Sequence, residues 1–389
     1  MYNSYETTQR ILQGIQRWAA MESPSNRPDQ VDGLVGHVAV HLESIGASCE
    51  RPDLGSGCAR PLVARFNANA QGGPRILVLG HLDTVHPMGS IDGPMPLHVE
   101  GDRLYGPGVM DMKGGVYLAV DALERLSRSQ QMPEVPITVL LNTDEEIGSP
   151  FSRGLIEAEA QAHDFVLVPE PVREGHVVIG RFAFARFRLT THGQSAHAGA
   201  DNVAGRSAIR AMANIIERLE DLTDMRRLVS FNVGVVQGGE FVNVVPLHCS
   251  ADVLAVADSE ANLAYVHDVM SAVPRWSTDV EIEVATGPQR PLFLPSTGTM
   301  WMFDQARIIG AELGLELKGR VSGGGSDGNF TGALGVPTLD GLGVAGKGPH
   351  TRGEYLEIGC LAARSELLRR LIELLADSSG PFQKSNTAE

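Results

Sequence analysis

Gly73-Pro74-Arg75-Ile76-Leu77-Val78-Leu79-Gly80-His81-Leu82-Asp83-Thr84-Val85 is the stretch from which the fold can be read. The aliphatic run Arg75–Leu79, bounded by Gly73-Pro74 and by Gly80, reads as a buried strand. His81 and Asp83 leave its C-terminal end two residues apart, so on a strand they project to the same side. A carboxylate beside a metal-binding imidazole fixes the tautomer and raises the basicity of the ring. One His-x-Asp pair alone is better read as a polar loop after a core strand. The acidic residues and the histidine that follow it turn the reading towards a site.

Outward from this stretch, strands are expected at Leu62–Phe66, Ile137–Leu141 and Phe165–Val168, with helices around Ile11–Ala19, Pro28–Ile45 and Val116–Ser127. Strands alternating with helices predict an α/β domain with a mostly parallel central sheet, whose chemistry gathers at the C-terminal ends of the strands. Asp111, Glu145-Glu146 and Glu170 all stand at such ends or at the mouth of a helix. From Phe182 the pattern changes to strand Phe182–Thr190, helix Val203–Leu222, strands Leu228–Val236 and Val244–Val256, helix Glu260–Val273 and strand Val280–Ala285. That order is a split βαβ, an α+β ferredoxin-like unit. After Pro291 helical spacing returns at Met300–Leu313 and Leu361–Leu375, and the tail from Ser378 reads as disordered. The expected division is a catalytic domain over 1–181 and 292–389, interrupted by an inserted domain over 182–291.

The chain has 389 residues, 43% hydrophobic and 20% charged, which suits a soluble globular protein of two domains. A net charge of −15 argues against nucleic-acid and anionic-membrane partners. The four cysteines, Cys49, Cys58, Cys249 and Cys360, form no disulfide framework, the N-terminal residues show no signal peptide, and no apolar run is long enough to span a membrane. A cytoplasmic protein is expected.

The candidate metal ligands are His81, Asp111, Glu146, Glu170 and His350, with Glu145 as a spare carboxylate. Mixed imidazole and carboxylate ligation suits zinc, and also cobalt or manganese. Five ligands can make two three-ligand sites that share one bridging carboxylate. A glutamate beside a ligand but not bound can take the proton of an attacking water, and adjacent Glu145 and Glu146 can divide those roles.

His81-Leu82-Asp83-Thr84-Val85, Asp111-Met112-Lys113-Gly114-Gly115, Thr143-Asp144-Glu145-Glu146-Ile147-Gly148 and Pro169-Glu170-Pro171 resemble the signature blocks of the co-catalytic zinc aminoacylase/carboxypeptidase family. Gly323-Gly324-Gly325-Ser326-Asp327-Gly328 and Gly348-Pro349-His350 resemble its C-terminal blocks. The family includes glutamate carboxypeptidases, acetylornithine deacetylases and succinyl-diaminopimelate desuccinylases, and the glutamate carboxypeptidase branch is the nearest in character. The resemblance implies one metal on His81, Asp111 and Glu170 and another on Asp111, Glu146 and His350, with Glu145 as general base and Asp83 orienting His81. It also implies a cis peptide after Asp111, a lid that forms a homodimer, and His197 reaching the neighbouring subunit's active site. Arg290, helped by Asn243, is expected to grip a substrate carboxylate at the hinge. The implied reaction is hydrolysis of an amide or peptide bond beside a free carboxylate, by an exopeptidase or by an N-acyl amino acid deacylase.

One position departs from the family pattern. Asp252-Val253-Leu254 stands where Asp-x-Arg is usual, which puts lid packing or subclass in question. Two other motifs compete with the metal reading. Gly324-Gly325-Ser326-Asp327-Gly328 fits a serine-hydrolase elbow, with Asp340 and His350 downstream, yet no helix is expected after Ser326. Gly341-Leu342-Gly343-Val344-Ala345-Gly346 fits GxGxxG but runs into Lys347-Gly348-Pro349 rather than a helix, so dinucleotide binding is not expected. A non-catalytic binding protein is the remaining alternative, against which every ligand and the base are present.

Overall fold

The computed structural model describes residues 4–172 and 175–378, so the expected disordered tail past Ser378 lies outside the described residues. In chain order the elements are α1 (Ser4–Ala19), α2 (Pro28–Ser44), β1 (Ser48–Glu50), β2 (Leu62–Phe66), β3 (Ile76–His81), β4 (His98–Glu100), β5 (Arg103–Tyr105), α3 (Lys113–Arg128), β6 (Ile137–Asn142), α4 (Arg153–Gln161), β7 (Phe165–Leu167) and β8 (His176–Arg181). An inserted stretch follows: β9 (Ala183–His192), α5 (Ala208–Glu220), β10 (Val229–Gly238), β11 (His248–Ala257), α6 (Glu260–Ala272) and β12 (Glu281–Arg290). The chain closes with α7 (Thr297–Glu312), β13 (Lys318–Ser322), α8 (Gly328–Ala333), β14 (Thr338–Leu339), β15 (Gly346–Lys347), β16 (Tyr355–Glu357) and α9 (Leu361–Asp377).

Two compact units result: Met1–Gly180 with Phe293–Ser322 and Ser326–Glu389, and Arg181–Leu292 with Gly323–Gly325. The first is organised on a six-stranded sheet in the order β1-β2-β6-β3-β7-β14. β6, β3, β7 and β14 run parallel, and β2 and β1 add an antiparallel edge. Every residue of β3 and of β6 is buried, as a sheet covered on both faces requires. Ile76 and Val78 face the core built with α1, α2, α3 and α9, while Leu77 and Leu79 face the opposite core with Ile156 of α4 and Phe330 of α8. That alternation explains why the run carries no polar residue. Among the described residues no helix is long and apolar enough to cross a membrane, and all four cysteines are free.

The inserted unit is an antiparallel sheet in the order β10-β11-β9-β12, with α5 and α6 packed on one face through Met212, Ile215, Val266 and Met270. The helix expected from Val203 begins at Ala208, because the Ser207 hydroxyl accepts from the Arg210 amide and caps it. The strand expected from Val244 begins at His248, because residues 244–245 pair instead with the 196–197 segment. The triglycine 323–325 belongs to this unit for two reasons. Arg181 Nη1 donates to the Gly324 carbonyl at 2.7 Å, and a β-carbon at Gly325 would stand 2.4 Å from the Phe184 ring. Contrary to expectation, a short helix, α8, does follow Ser326. Its Gly328-Asn329-Phe330-Thr331-Gly332-Ala333 sequence has two glycines in six residues, so helical propensity gives no sign of it.

Candidate metal centre

The parallel neighbours β6, β3 and β7 deliver their C-terminal ends to one edge of the sheet. His81 closes β3 in register with Asn142 of β6, Glu145 and Glu146 form the 3₁₀ turn that follows β6, and Glu170 follows β7. Asp111 comes in from the loop before α3, across a cis Asp111–Met112 peptide. The glycines after it have a function: a β-carbon at Gly115 would lie 1.8 Å from the Pro169 carbonyl oxygen, so only glycine lets α3 start this close to the Glu170 loop. His350 sits in the turn after β15 with φ of 63°.

Asp111 lies between two imidazoles, with Oδ1 3.4 Å from His81 Nε2 and Oδ2 3.2 Å from His350 Nε2. Glu146 Oε2 is also 3.2 Å from His350 Nε2. Glu170 Oε1 stands 3.7 Å and Glu145 Oε2 4.0 Å from His81 Nε2. Donor atoms of His81, Asp111 and Glu146 fall within 4.8 Å of one another. His81 Nδ1 lies 2.9 Å from the Asp83 carbonyl oxygen, which can only accept, so neutral His81 carries its proton there and presents a lone pair at Nε2. That Nε2 and Glu146 Oε1 are buried atoms without a hydrogen-bond partner. Buried, orphaned donor atoms converging on one point fit a divalent cation.

The electrostatics agree. Burial pushes Glu146 up to about 8, with Asp111 and Glu145 adding to it against the His350 hydrogen bond. Burial likewise raises Glu170, with Asp111 next to it. His350 is pushed up to about 11 by its hydrogen bonds to Asp111 and Glu146. Burial opposes the charge on His81, yet Asp111 and Asp83 outweigh it and raise the ring well above its ordinary value. Asp111 is held below the usual carboxylate range despite burial, because both imidazoles favour its anion. Carboxylates crowded until they hold protons, around imidazoles that hold theirs, form a cluster in which bound cations can replace protons.

The surrounding shell contains residues that the sequence reading assigned and others it missed. Asp83 accepts from the Glu145 and Glu146 amides at 3.2 Å each, so it fixes the turn of the candidate base as well as facing His81. Ser25, unassigned from sequence, donates to Asp83 at 2.6 Å. Asp327 takes hydrogen bonds from Asn142 and, at 2.5 Å, from Ser149, on either side of the same turn. Glu354, also unassigned, accepts from the Asp111 amide. Ser326 is buried and donates to Asp340 at 2.6 Å, while His350 pairs with Asp111 and Glu146. The serine elbow is therefore a structural turn.

In the inserted unit His197 and Asn243 are exposed neighbours. His197 bridges to Val244, and the Ala198 amide donates to the Asn243 carbonyl at 2.9 Å. His197 Nδ1 accepts from the Gly199 and Ala200 amides at 3.2 and 3.1 Å, which leaves the proton of the neutral ring on Nε2 as a free-standing donor. Arg290 ends β12, is 5% exposed, and packs its Cδ where a Gly325 side chain would be. Leu254 lies between Arg186 and Asn232 on adjacent strands. Asp252 is paired instead by Arg188, through two 2.7 Å hydrogen bonds.

A covered parallel sheet with imidazoles and carboxylates gathered at its C-terminal edge, and a further glutamate beside them, defines a metal-dependent hydrolase. The chain belongs to peptidase family M20/M25/M40, whose profile it matches over residues 77–374. Its relatives include carboxypeptidase G2 of Pseudomonas sp. (strain RS-16), 31% identical over 372 residues that cover 93% of this chain and 88% of that protein. The succinyl-diaminopimelate desuccinylase of Delftia acidovorans is 28% identical over 376 residues, covering 90% and 95%. In fold, the chain is similar to a tripeptidase from Staphylococcus aureus, with a TM-score of 0.78 at 21% identity over 95% of this chain and 99% of that one.

Proposed function

We propose that this hydrolase cleaves an amide or peptide bond next to a free carboxylate, as a glutamate-carboxypeptidase-like exopeptidase. The observation that carries the reading is Asp111 lying between His81 and His350 with Glu145 alongside. His81, Asp111 and Glu170 would hold one divalent ion and Asp111, Glu146 and His350 another, zinc with cobalt or manganese as alternatives. Bound there, two such ions supply Lewis acidity to the scissile carbonyl and acidify the attacking water. Glu145 takes the proton of that water and returns it to the leaving amine. Asp83 keeps the proton of His81 on Nδ1 and the Glu145 turn in place. His197, through Nε2–H, donates to the developing oxyanion, in a neighbouring subunit's site of a homodimer formed through the inserted unit. Arg290 and Asn243 hold the substrate carboxylate.

The carboxypeptidase G2 relationship supports the exopeptidase reading. The desuccinylase and deacetylase relatives favour a second one, an N-acyl amino acid deacylase using the same residues. The family supports small acyl amino acid or peptide substrates, a net charge of −15 argues against nucleic-acid and anionic-membrane partners, and four free cysteines support the cytoplasm. A panel of C-terminal dipeptides and N-acyl amino acids, assayed with Zn²⁺ or Co²⁺ and then with chelator, tests the proposal. Chelator-sensitive turnover that is fastest on acidic C-terminal residues is expected. Preference for acyl groups regardless of the peptide series would move the assignment to the deacylase, and inactivity throughout would favour a binding protein.

A further inference from the structure

Glu354 is 1% exposed, and a buried carboxylate persists only where donors replace its water. Four donors converge on it. Oε1 accepts from the Met110 and Asp111 amides at 2.8 and 3.0 Å, and Oε2 from the Gly108 amide at 3.2 Å and from His86 Nε2 at 2.7 Å. The three amides belong to the loop that presents Asp111, where successive N–H groups form an anion-binding concavity. The Gly106 amide adds a bond to the Glu354 carbonyl, and Tyr355 pairs with Tyr105, so the whole loop is stitched to the 354–355 segment. That segment also carries His350, through a turn closed by Thr351 N to Gly348 O at 3.0 Å and Glu354 N to Thr351 O at 3.3 Å.

We infer that Glu354, braced by His86, is the positioning residue that sets the Asp111 carboxylate against His350, so that one turn supplies a ligand and fixes the bridging ligand opposite it. The inference rests on the metal role proposed for Asp111. Glu354 touches neither substrate nor the reacting atoms; it acts through the backbone of Asp111.

The test compares wild type with Glu354→Ala, Glu354→Gln and His86→Ala in the full chain. Zn²⁺ affinity is read by competition with a chromogenic chelator, and amide hydrogen exchange of residues 108–111 is followed in metal-free protein. Glu354→Ala should weaken Zn²⁺ binding ~10–100-fold and speed exchange at Gly108, Met110 and Asp111. Glu354→Gln should recover part of the affinity, because its oxygen still serves Met110 and Asp111 and its amide can donate to His86 in the other tautomer, while the Gly108 amide loses its acceptor. His86→Ala should fall between wild type and Glu354→Ala. If Glu354→Ala does not fold, Glu354→Asp takes its place, being too short to reach all three amides. Wild-type affinity and exchange in a folded Ala or Asp variant would overturn the inference, as would a Gln variant no better than Ala. A wild type that binds no Zn²⁺ would instead sink the metal reading, and the exchange measurement would still decide whether Glu354 holds the loop.

Discussion

The two units carry their candidate residues in opposite ways. At the edge of the parallel sheet, His81 and Asp83 are buried, the ligand donors lie 3–4 Å apart, and buried Asp83, Asp327 and Glu354 hold the loops of Glu145-Glu146 and Asp111. In the inserted unit, His197 and Asn243 are exposed and held mainly by backbone contacts of one turn. The contrast teaches that the candidate ligand cluster is built into the fold of the first unit, whereas His197 and Asn243 stand at the surface of the inserted unit. Substitutions in the two regions should therefore separate into those that change metal binding or remove the base and those that leave the metal in place.

The largest effect is expected from Glu145→Gln, which removes the base and keeps the shape. Turnover should fall ~10²–10⁴-fold with metal content unchanged, and near-normal kcat would take Glu145 out of the reaction. His197→Ala should lower kcat ~10²–10³-fold, as loss of an oxyanion donor does, again with metal retained. Mixing it with Glu145→Gln should restore activity in hybrid dimers; exchange of subunits without recovery would refute the shared site. Arg290→Lys should reduce kcat/KM for carboxylate substrates by about 2 kcal/mol, ~30-fold, and the matching amides much less. Equal losses would make Arg290 a structural residue only. A separate effect, read on metal affinity, is one of pH. Glu146 near 8 and His350 near 11 hold protons at neutral pH in the metal-free protein. Metal must displace those protons, so affinity should rise with pH, steeply to about 8 where both protons leave and less steeply from there to about 11 where only the His350 proton does, ~tenfold per unit for each proton released. Calorimetric titration in buffers of different ionisation enthalpy counts them, and no release would contradict the electrostatic account.

Much of this was legible before any coordinates. β3 and β6 are aliphatic runs buried on both faces, so their ends, and with them His81 and Glu145-Glu146, could be located by composition alone. The βαβ-βαβ order of the inserted unit followed from a change of periodicity. What escaped were short strands such as β1, β4 and β5, the glycine-bearing α8, and the onset of α5, which depends on a single cap at Ser207. Hidden too were residues that act only through space. Glu354 reaches the Asp111 amide across 243 positions of sequence, and Ser25 reaches Asp83 across 58. No local pattern connects such pairs, because burial and backbone amides, rather than side-chain spacing, bring them together.

The central claim is that His81, Asp111, Glu146, Glu170 and His350 make two cation sites sharing Asp111. It is tested most directly by counting divalent ions per chain, by elemental analysis after equilibrium dialysis, in wild type and in Asp111→Ala. The account predicts two ions in the wild type and the weakening of both in the variant, since each site loses the same carboxylate. One ion in the wild type, or a variant that keeps one site at full affinity, would contradict it.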